Sequence, residues 1–495
     1  MRMLLLQPPQ GTDFGLTNIL TGEPLGLECV GAAVMERGHE AELIDLRLDK
    51  WEVLDRALAE RPSLVGISCA FTTDVYSSLE VASFVKERWP DLPIVVGGHH
   101  ASLMPQDFFF PDSPVDMVGV GEGEEIGVAI MEAIRDRTPF EAVPGVLTAR
   151  NLNGGLIPRE FTRNLDALPS PARQLTSRYR RWYHFGLTPH SASLETSRGC
   201  PFDCNFCSVW VFYKRRAGRR SPGNIVYELK RMKEDHVFFT DDIAFLNYEA
   251  YNELANRIDA EGIKKSYSCE TRADLVVKYR DIFPRWNKLG LYSVFLGVEK
   301  ITDEGLEAVR KRTKGGVNTN VEAIKILRDA GITPMTTFIT DPSWDDADFD
   351  RLTEFIDRLD LPNASFTILT PLPGTELYTQ HKHELTTHDY GYFDVVHAVL
   401  PTKMPLEKFY ERFAGMYAYT LQSTRPSWAM ARRAVELLAG GNLWTLKRVI
   451  GAVKEMRDPA SYMRTPNRIR APLRNRTRTQ RESWPVRLGH LVETV

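Results

Sequence analysis

The sequence predicts an α/β chain: a doubly wound parallel sheet over residues 1–145, a partial (β/α)6 barrel over 191–380 and a helical region over 381–495. Three observations predict it. Short, wholly apolar runs alternate with helically spaced segments through the first 145 residues, six further runs of this kind follow residue 190, and such runs stop near residue 380. Unbroken apolar runs separated by helices are the pattern of strands covered on both faces of a parallel sheet.

In the first unit Met3–Leu6 opens the pattern, and Gly26–Glu36 has helical spacing until Gly38 ends it. Leu43–Ile44, Leu64–Ser68, Ile94–Val96 and Met117–Val120 follow as strands. Ligands of such sheets bind beyond the carboxyl ends of the strands. The candidate binding segments are therefore Gln7–Gly11, Ser68–Thr73, Gly97–His100 and Gly121–Glu124. Residues 146–190 read as a linker, with Asn151–Gly155, then Leu168-Pro169-Ser170-Pro171, then a stretch rich in Arg, Tyr, Trp and His. The barrel strands are expected near Ser193–Thr196, Val237–Thr240, Ser266–Cys269, Ser293–Gly297, Met335–Ile339 and Ser365–Thr370. Their carboxyl ends should carry the chemistry. Beyond them, Ser427–Met456 reads as two amphipathic helices broken at Gly440-Gly441. Arg464, Arg468, Arg470, Arg474, Arg476, Arg478, Arg481 and Arg487 mark the last stretch.

A net charge of −3 gives no general pull toward nucleic acid, and no nucleic-acid partner is expected. The six cysteines are too sparse for an exported disulfide scaffold, so a reducing, cytoplasmic setting is expected. MRMLLLQPP is too short an apolar run for a signal peptide.

Three cysteines crowd together in Gly199-Cys200-Pro201-Phe202-Asp203-Cys204-Asn205-Phe206-Cys207, directly after the first barrel strand. Thiolates hold iron–sulfur clusters, and a four-iron cluster on three cysteines leaves one iron open to a small molecule. Zinc is the competing reading, but zinc sites usually show four ligands in paired spacing. No second pair lies nearby, and nothing in the spacing of His236 or Cys269 recommends them as further ligands. Buried structural cysteines are the other alternative.

CxxxCxxC with an aromatic residue, Phe206, before the last cysteine resembles the signature of the radical S-adenosylmethionine superfamily. That resemblance implies a [4Fe-4S] cluster on Cys200, Cys204 and Cys207 whose open iron chelates S-adenosylmethionine. An electron, from a donor such as flavodoxin or ferredoxin, then cleaves the sulfonium, and the deoxyadenosyl radical removes hydrogen from an unactivated carbon. It also implies cofactor contacts at three strand ends: Asp241 and Asp242, Arg272 within Thr271-Arg272-Ala273-Asp274, and Glu299 within Gly297-Val298-Glu299. A helix N-cap competes for the two aspartates, and a surface ion pair for Arg272.

Residues 1–145 resemble the Rossmann-like cobalamin-binding domain of the cobalamin-dependent (class B) branch. Gln7, Ser68, Thr72, Gly97, Gly98, His99, His100, Glu122 and Gly123 are the contacts this implies, with ordinary loop roles left open for the histidines. The Asp-x-His-x-x-Gly element that gives cobalt a histidine is absent; Gly11-Thr12-Asp13-Phe14-Gly15 stands after the first strand. With both cofactors, the resemblance implies a C-methyltransferase, methylcobalamin delivering the methyl group and a second S-adenosylmethionine restoring it.

Cys207–Tyr213 and Phe338–Trp344 resemble the hopanoid C-3 methylases, with Asp341-Pro342 where Gly-x-Pro is usual. The implied substrate is a polycyclic lipid. Trp428, Leu437, Leu438, Trp444, Val449 and Ile450 among basic residues suit peripheral contact with the inner membrane; a packed helical cap is the alternative. Anaerobic magnesium-porphyrin oxidative cyclases, bacteriochlorin side-chain methylases and natural-product methylases share the machinery. Methylthiolation of tRNA calls for cysteines and a basic module that this chain lacks, and a corrinoid or redox sensor would have no need of an open iron.

Overall fold

The computed structural model describes residues 1–12, 14, 19–423, 435, 437–439 and 443–464. Its first nine strands are β1 (Arg2–Gln7), β2 (Leu20–Thr21), β3 (Glu40–Asp45), β4 (Leu64–Ser68), β5 (Ile94–Gly97), β6 (Met117–Gly119), β7 (Val146–Leu147), β8 (His184–Phe185) and β9 (Thr188–Pro189). The first sheet runs β3-β1-β4-β5-β6-β7, parallel except for its antiparallel edge β7. Its strands are buried on both faces: Leu4, Leu6, Val65, Ile67, Val96 and Val118 pack to one side and Met3, Leu5, Leu64, Val95 and Met117 to the other. This is the doubly wound sheet that the apolar runs predict.

The second half adds β10 (Ser191–Leu194), β11 (Ser197–Arg198), β12 (Gly218–Arg219), β13 (His236–Phe239), β14 (Ser266–Arg272), β15 (Leu291–Glu299), β16 (Thr333–Thr340) and β17 (Ser365–Ile368). Strands β10, β13, β14, β15, β16 and β17 pair in chain order, all parallel, into an open half-barrel. Alternation along each strand decides its two faces. Val237, Phe239, Tyr267, Cys269, Val294, Leu296, Phe338 and Phe366 are buried in the core shared with the outer helices, so the intervening residues face the barrel interior. A register shift between Gly297 and Glu299 turns the end of β15, where Glu299 takes φ +63°.

Residues 146–190 are a packed belt, not a bare connector. Besides β7, they carry a ten-residue 3-10 helix over Arg173–Trp182, and β8 pairs with both β2 and β9. The Tyr183 hydroxyl donates to Asp45 at 3.2 Å, and the Tyr179 hydroxyl accepts from the Asp45 amide at 3.1 Å. These polar groups are buried against partners far away in sequence.

After β17 the described regular elements are helical, including Leu406–Ser423, Leu443–Met456 and Pro459–Tyr462. Trp428, the Gly440-Gly441 break and all tail arginines after Arg464 lie outside the described residues. No described helix is long and apolar enough to cross a membrane.

Candidate active site

Cys200, Cys204 and Cys207 sit on the loop between β11 and the helix Val209–Tyr213, all three as free thiols. Gly199 opens the loop at φ +87°, where a Cβ would stand 2.2 Å from the Arg216 carbonyl oxygen. Only glycine fits so close an approach in that conformation. Backbone and side chains fix the rest: the Gly199 amide donates to Asp242 at 2.7 Å, and the Trp210 indole N–H donates to the Cys204 carbonyl at 2.8 Å. The Asn205 side chain donates to the Ala308 carbonyl at 3.0 Å. Phe206 is half-buried on the same loop.

Arg272 reaches this loop from the end of β14. Its guanidinium lies 3.8 Å from Cys204 Sγ and 3.8 Å over the Phe202 ring, and it pairs with Asp274 at 2.9 Å. Burial pushes the Cys200 thiol up to about 11 and Cys207 up to about 12, and it raises Cys204. Arg272 beside Cys200 and Cys204, and Lys311 beside Cys204, pull the other way. Three mutually close thiols under cationic side chains suit the net negative charge of a thiolate-held cluster. Among the described residues no three His, Cys, Asp or Glu side chains are arranged to hold a single ion. A cubane is held at separate irons, so its thiolates need not converge on one point.

The acids at the strand ends divide by role. Asp241 accepts from the Thr196 amide at 2.6 Å, the Ser197 hydroxyl at 2.7 Å and the Tyr251 hydroxyl at 3.0 Å, and also from the Thr196 hydroxyl. Its carboxylate braces the β10–β11 corner. Asp242 is half-buried, and burial raises it to about 6. Glu299 pairs with buried Lys311 at 2.7 Å. Glu270, just before the Thr271-Arg272-Ala273-Asp274 motif, is a site residue that sequence reasoning missed. Its carboxylate remains accessible although protein surrounds it, which places it in the barrel's internal opening. Burial and then the neighbouring Glu299 charge raise it to about 7. Its position one residue after buried Cys269 was the available signal.

Along the first sheet, Gln7, Ser68 and Gly97 end β1, β4 and β5, as expected. Gly98 takes φ +118°, and a Cβ there would lie 2.6 Å from the Cys69 carbonyl oxygen. His99 stacks on Phe212 at 4.2 Å, five residues past Cys207, and its buried Nε2 has no protein partner. Burial lowers its pKa to about 4, so the ring is neutral near pH 7. His100 is held at both nitrogens, by Thr72 at 3.1 Å and Asp107 at 3.0 Å. Thr72 and His100 therefore brace each other. Glu122 accepts from the Thr162 amide at 2.6 Å and pairs with Arg198 at 3.0 Å. Gly123 packs against Val30, where a Cβ would meet it at 2.9 Å. Gly121, at φ +109° with nothing within 4 Å, borders a cleft of about 220 Å3 with Ser102 and Phe161. Phe71 went unnoticed in the sequence. It follows β4 and is 71% exposed.

Sequence reasoning also missed what joins the two sheets. Arg198, two residues before Cys200, pairs with Glu122, with Glu124 at 2.6 Å and with Glu195 at 2.7 Å. From the belt, Arg173 pairs with Glu23 at 2.6 Å, donates to the Ser193 carbonyl at 2.7 Å and pairs with Glu228. Arg180 pairs with Glu28 at 3.3 Å and with Glu23. The cysteine loop and the open edge of the first sheet are thereby held face to face. The glycines Gly98 and Gly121 and the partnerless His99 Nε2 fit a large planar cofactor on that edge.

Two family models match the chain: a B12 binding domain over residues 17–131 and the radical SAM superfamily over residues 194–356. The chain is 38% identical over 421 residues to hopanoid C-3 methylase of Methylococcus capsulatus, covering 84% of this chain and 80% of the relative. It is 27% identical to anaerobic magnesium-protoporphyrin IX monomethyl ester cyclase of Synechocystis, covering 82% of each. Among solved structures, the methyltransferase TsrM from Kitasatospora setae, with cobalamin and [4Fe-4S] cluster bound, superposes with TM-score 0.60 at 20% identity over 76% of both chains. The cobalamin-dependent radical enzyme OxsB gives TM-score 0.64 at 15% identity, covering 100% of this chain and 79% of that one. These two show a shared fold.

Proposed function

The chain belongs to the cobalamin-dependent radical S-adenosylmethionine methyltransferase family, and on that premise we propose that it methylates an unactivated carbon of a hopanoid, at C-3. The supporting observation is the three-thiol loop set against the glycine-lined edge of the first sheet, together with the 38% identity to a hopanoid C-3 methylase. When bound, the cluster with S-adenosylmethionine supplies the radical that removes hydrogen, and the corrinoid supplies the methyl group.

In this reading Cys200, Cys204 and Cys207 hold the cluster, and Arg272 and Lys311 offset its charge. Asp242, Glu270 and Glu299 are the acceptors for the amine and ribose of S-adenosylmethionine. Gln7, Ser68, Gly97, Gly98, His99 and Phe71 border the corrinoid, while Asp241, His100, Thr72 and Glu122 position their loops. Phe71, the exposed ring after β4, would offer an apolar face to the corrinoid, and the chain lacks the Asp-x-His-x-x-Gly element. A flavodoxin or ferredoxin supplies the electron.

Peripheral membrane contact belongs to the same reading. On the helix Leu443–Met456, Ile450 is 59% exposed and Leu443 47%, with Lys447 and Lys454 on the same face. Such a face suits an anionic lipid surface. Full-length protein should float with anionic vesicles and a chain ending at Ser423 should not; equal flotation removes this element.

The testing experiment is anaerobic reconstitution with iron, sulfide and cobalamin, followed by S-adenosylmethionine, a reductant and candidate lipids or tetrapyrroles. Gain of one methyl group on a hopanoid with deoxyadenosine release supports the proposal. Oxygen insertion into a porphyrin would favour the cyclase reading, which the 27% identity over 82% of a cyclase keeps in play.

A further inference from the structure

Three phenylalanine rings meet inside the half-barrel. Phe185 stacks on Phe238 with centroids 4.5 Å apart and planes at 19°, and it meets Phe295 edge-on at 5.2 Å. Phe238 and Phe295 stand 6.2 Å apart at 86°. Each ring is only half-buried, although Val237, Phe239, Val294 and Leu296, the strand neighbours of Phe238 and Phe295, are wholly buried on the helix side. The rings therefore line an interior opening.

Register gives the depth of that opening. Phe295 is level with Glu270 on β14 and Met335 on β16, and the next inward-facing level toward the carboxyl end carries Arg272 and Gly297. Phe238 is level with Ser268, one inward-facing level deeper. Successive levels are about 7 Å apart, from two residues at roughly 3.3 Å each. The rings thus begin about 7 Å beneath the layer of Arg272, which itself touches Cys204. Beside Phe295, one level above Phe238, the accessible groups are polar, Thr240 and Glu270. At the rings the surface is aromatic, with small serines beside it: Ser193 and Ser268 share the level of Phe238.

Phe185 is not a barrel residue. It comes from the β8–β9 hairpin of the belt, which turns through Gly186 at φ +56°. The open side of the half-barrel is closed at this depth by a segment that also pairs with β2 of the first unit.

We propose that Phe185, Phe238 and Phe295 form the wall against which a rigid, apolar polycyclic substrate lies, its reacting end toward Glu270 and the cysteine loop. Flat aromatic faces at near-right angles offer a large dry contact to fused saturated rings and no hydrogen bond that such a molecule would leave unmade. The cation at this depth, Arg173, which donates to the Ser193 carbonyl at 2.7 Å, is already paired with Glu23 and Glu228 and so is not offered to a porphyrin's propionates. The inference deepens the hopanoid reading and rests on it for the substrate class only.

The test uses reconstituted full-length holoenzyme and direct binding of three probes: the pentacyclic alcohol diplopterol in cyclodextrin, protoporphyrin IX, and S-adenosylmethionine. Wild type should bind diplopterol at least about tenfold tighter than protoporphyrin. Phe185→Ala and Phe238→Ala should each weaken diplopterol binding about tenfold, leaving the cluster spectrum and S-adenosylmethionine affinity unchanged. Phe238→Leu, which preserves apolar volume, should recover part of the loss and guards against misfolding as the cause. Unchanged diplopterol affinity in both alanine variants overturns the proposal. So does a loss confined to S-adenosylmethionine, which would make the rings an adenine site. Tight, ring-dependent diplopterol binding without methyl transfer would instead retain this wall and refute the methylase reading.

Discussion

Replacing Arg173 by methionine should uncouple the two halves of the molecule. Arg173 is 16% exposed and serves Glu23 at 2.6 Å, the Ser193 carbonyl at 2.7 Å and Glu228, whose side chains are 0% and 4% exposed. Removing one partner of a buried ion pair costs about 3–5 kcal/mol, because the remaining charge stays desolvated. Here the lower end applies: Arg180 still faces Glu23 and Glu28, and Arg220 still pairs with Glu228. A loss of about 3 kcal/mol corresponds to a melting decrease of roughly 6–12 °C for a unit of 150–250 residues. The assay is anaerobic thermal unfolding of the full-length holoenzyme, with Arg173→Met, Glu23→Gln and the double variant. The double variant should recover at least about 1 kcal/mol relative to additivity. Since the network joins Glu23 of the first unit to Glu228 of the second, deoxyadenosine release should persist while methylated product falls. A decrease under about 2 °C, or strict additivity, refutes the reasoning, because the charges would then be solvated or independently held.

Gly199→Ala forces a Cβ to within 2.2 Å of the Arg216 carbonyl oxygen at φ +87°, so the cysteine loop must shift. Iron content per chain after reconstitution should fall by at least half, whereas Gly415→Ala, in ordinary helical backbone with nothing within 4 Å of its Cβ, should leave it unchanged. Cys204→Ala should lower deoxyadenosine release to background, measured by chromatography after dithionite reduction. Asp74 tests pH dependence: burial raises it from 3.8 to about 6. The folded state thus keeps a proton that the unfolded chain has released. Below pH 4 the group is protonated in both states and costs nothing; the cost grows as pH rises to about 6, toward about 3 kcal/mol at full ionisation. Asp74→Asn should therefore melt higher than wild type at pH 7.5 and equally at pH 4; an equal gap at both pH values contradicts the assignment.

The amino-acid order by itself determined the two parallel sheets and the three-thiol loop. Both signals are local: apolar runs such as Leu64–Ser68 are bounded within a few residues, and Cys200, Cys204 and Cys207 need only eight residues of chain. The same reading singled out Asp241 and His100, whose burial and saturated hydrogen bonds make them braces, because partner counts are invisible without Thr196, Tyr251, Thr72 and Asp107 in space. Tertiary structure alone decided how residues 146–190 pack, how Arg173 and Arg198 join the halves, and that Phe185 meets Phe238 and Phe295. Glu23 and Arg173 are 150 residues apart in the chain. Periodicity records which way a side chain faces within one element; it holds no record of which distant charge or ring will lie opposite, and that pairing is fixed only when the sheets close on each other.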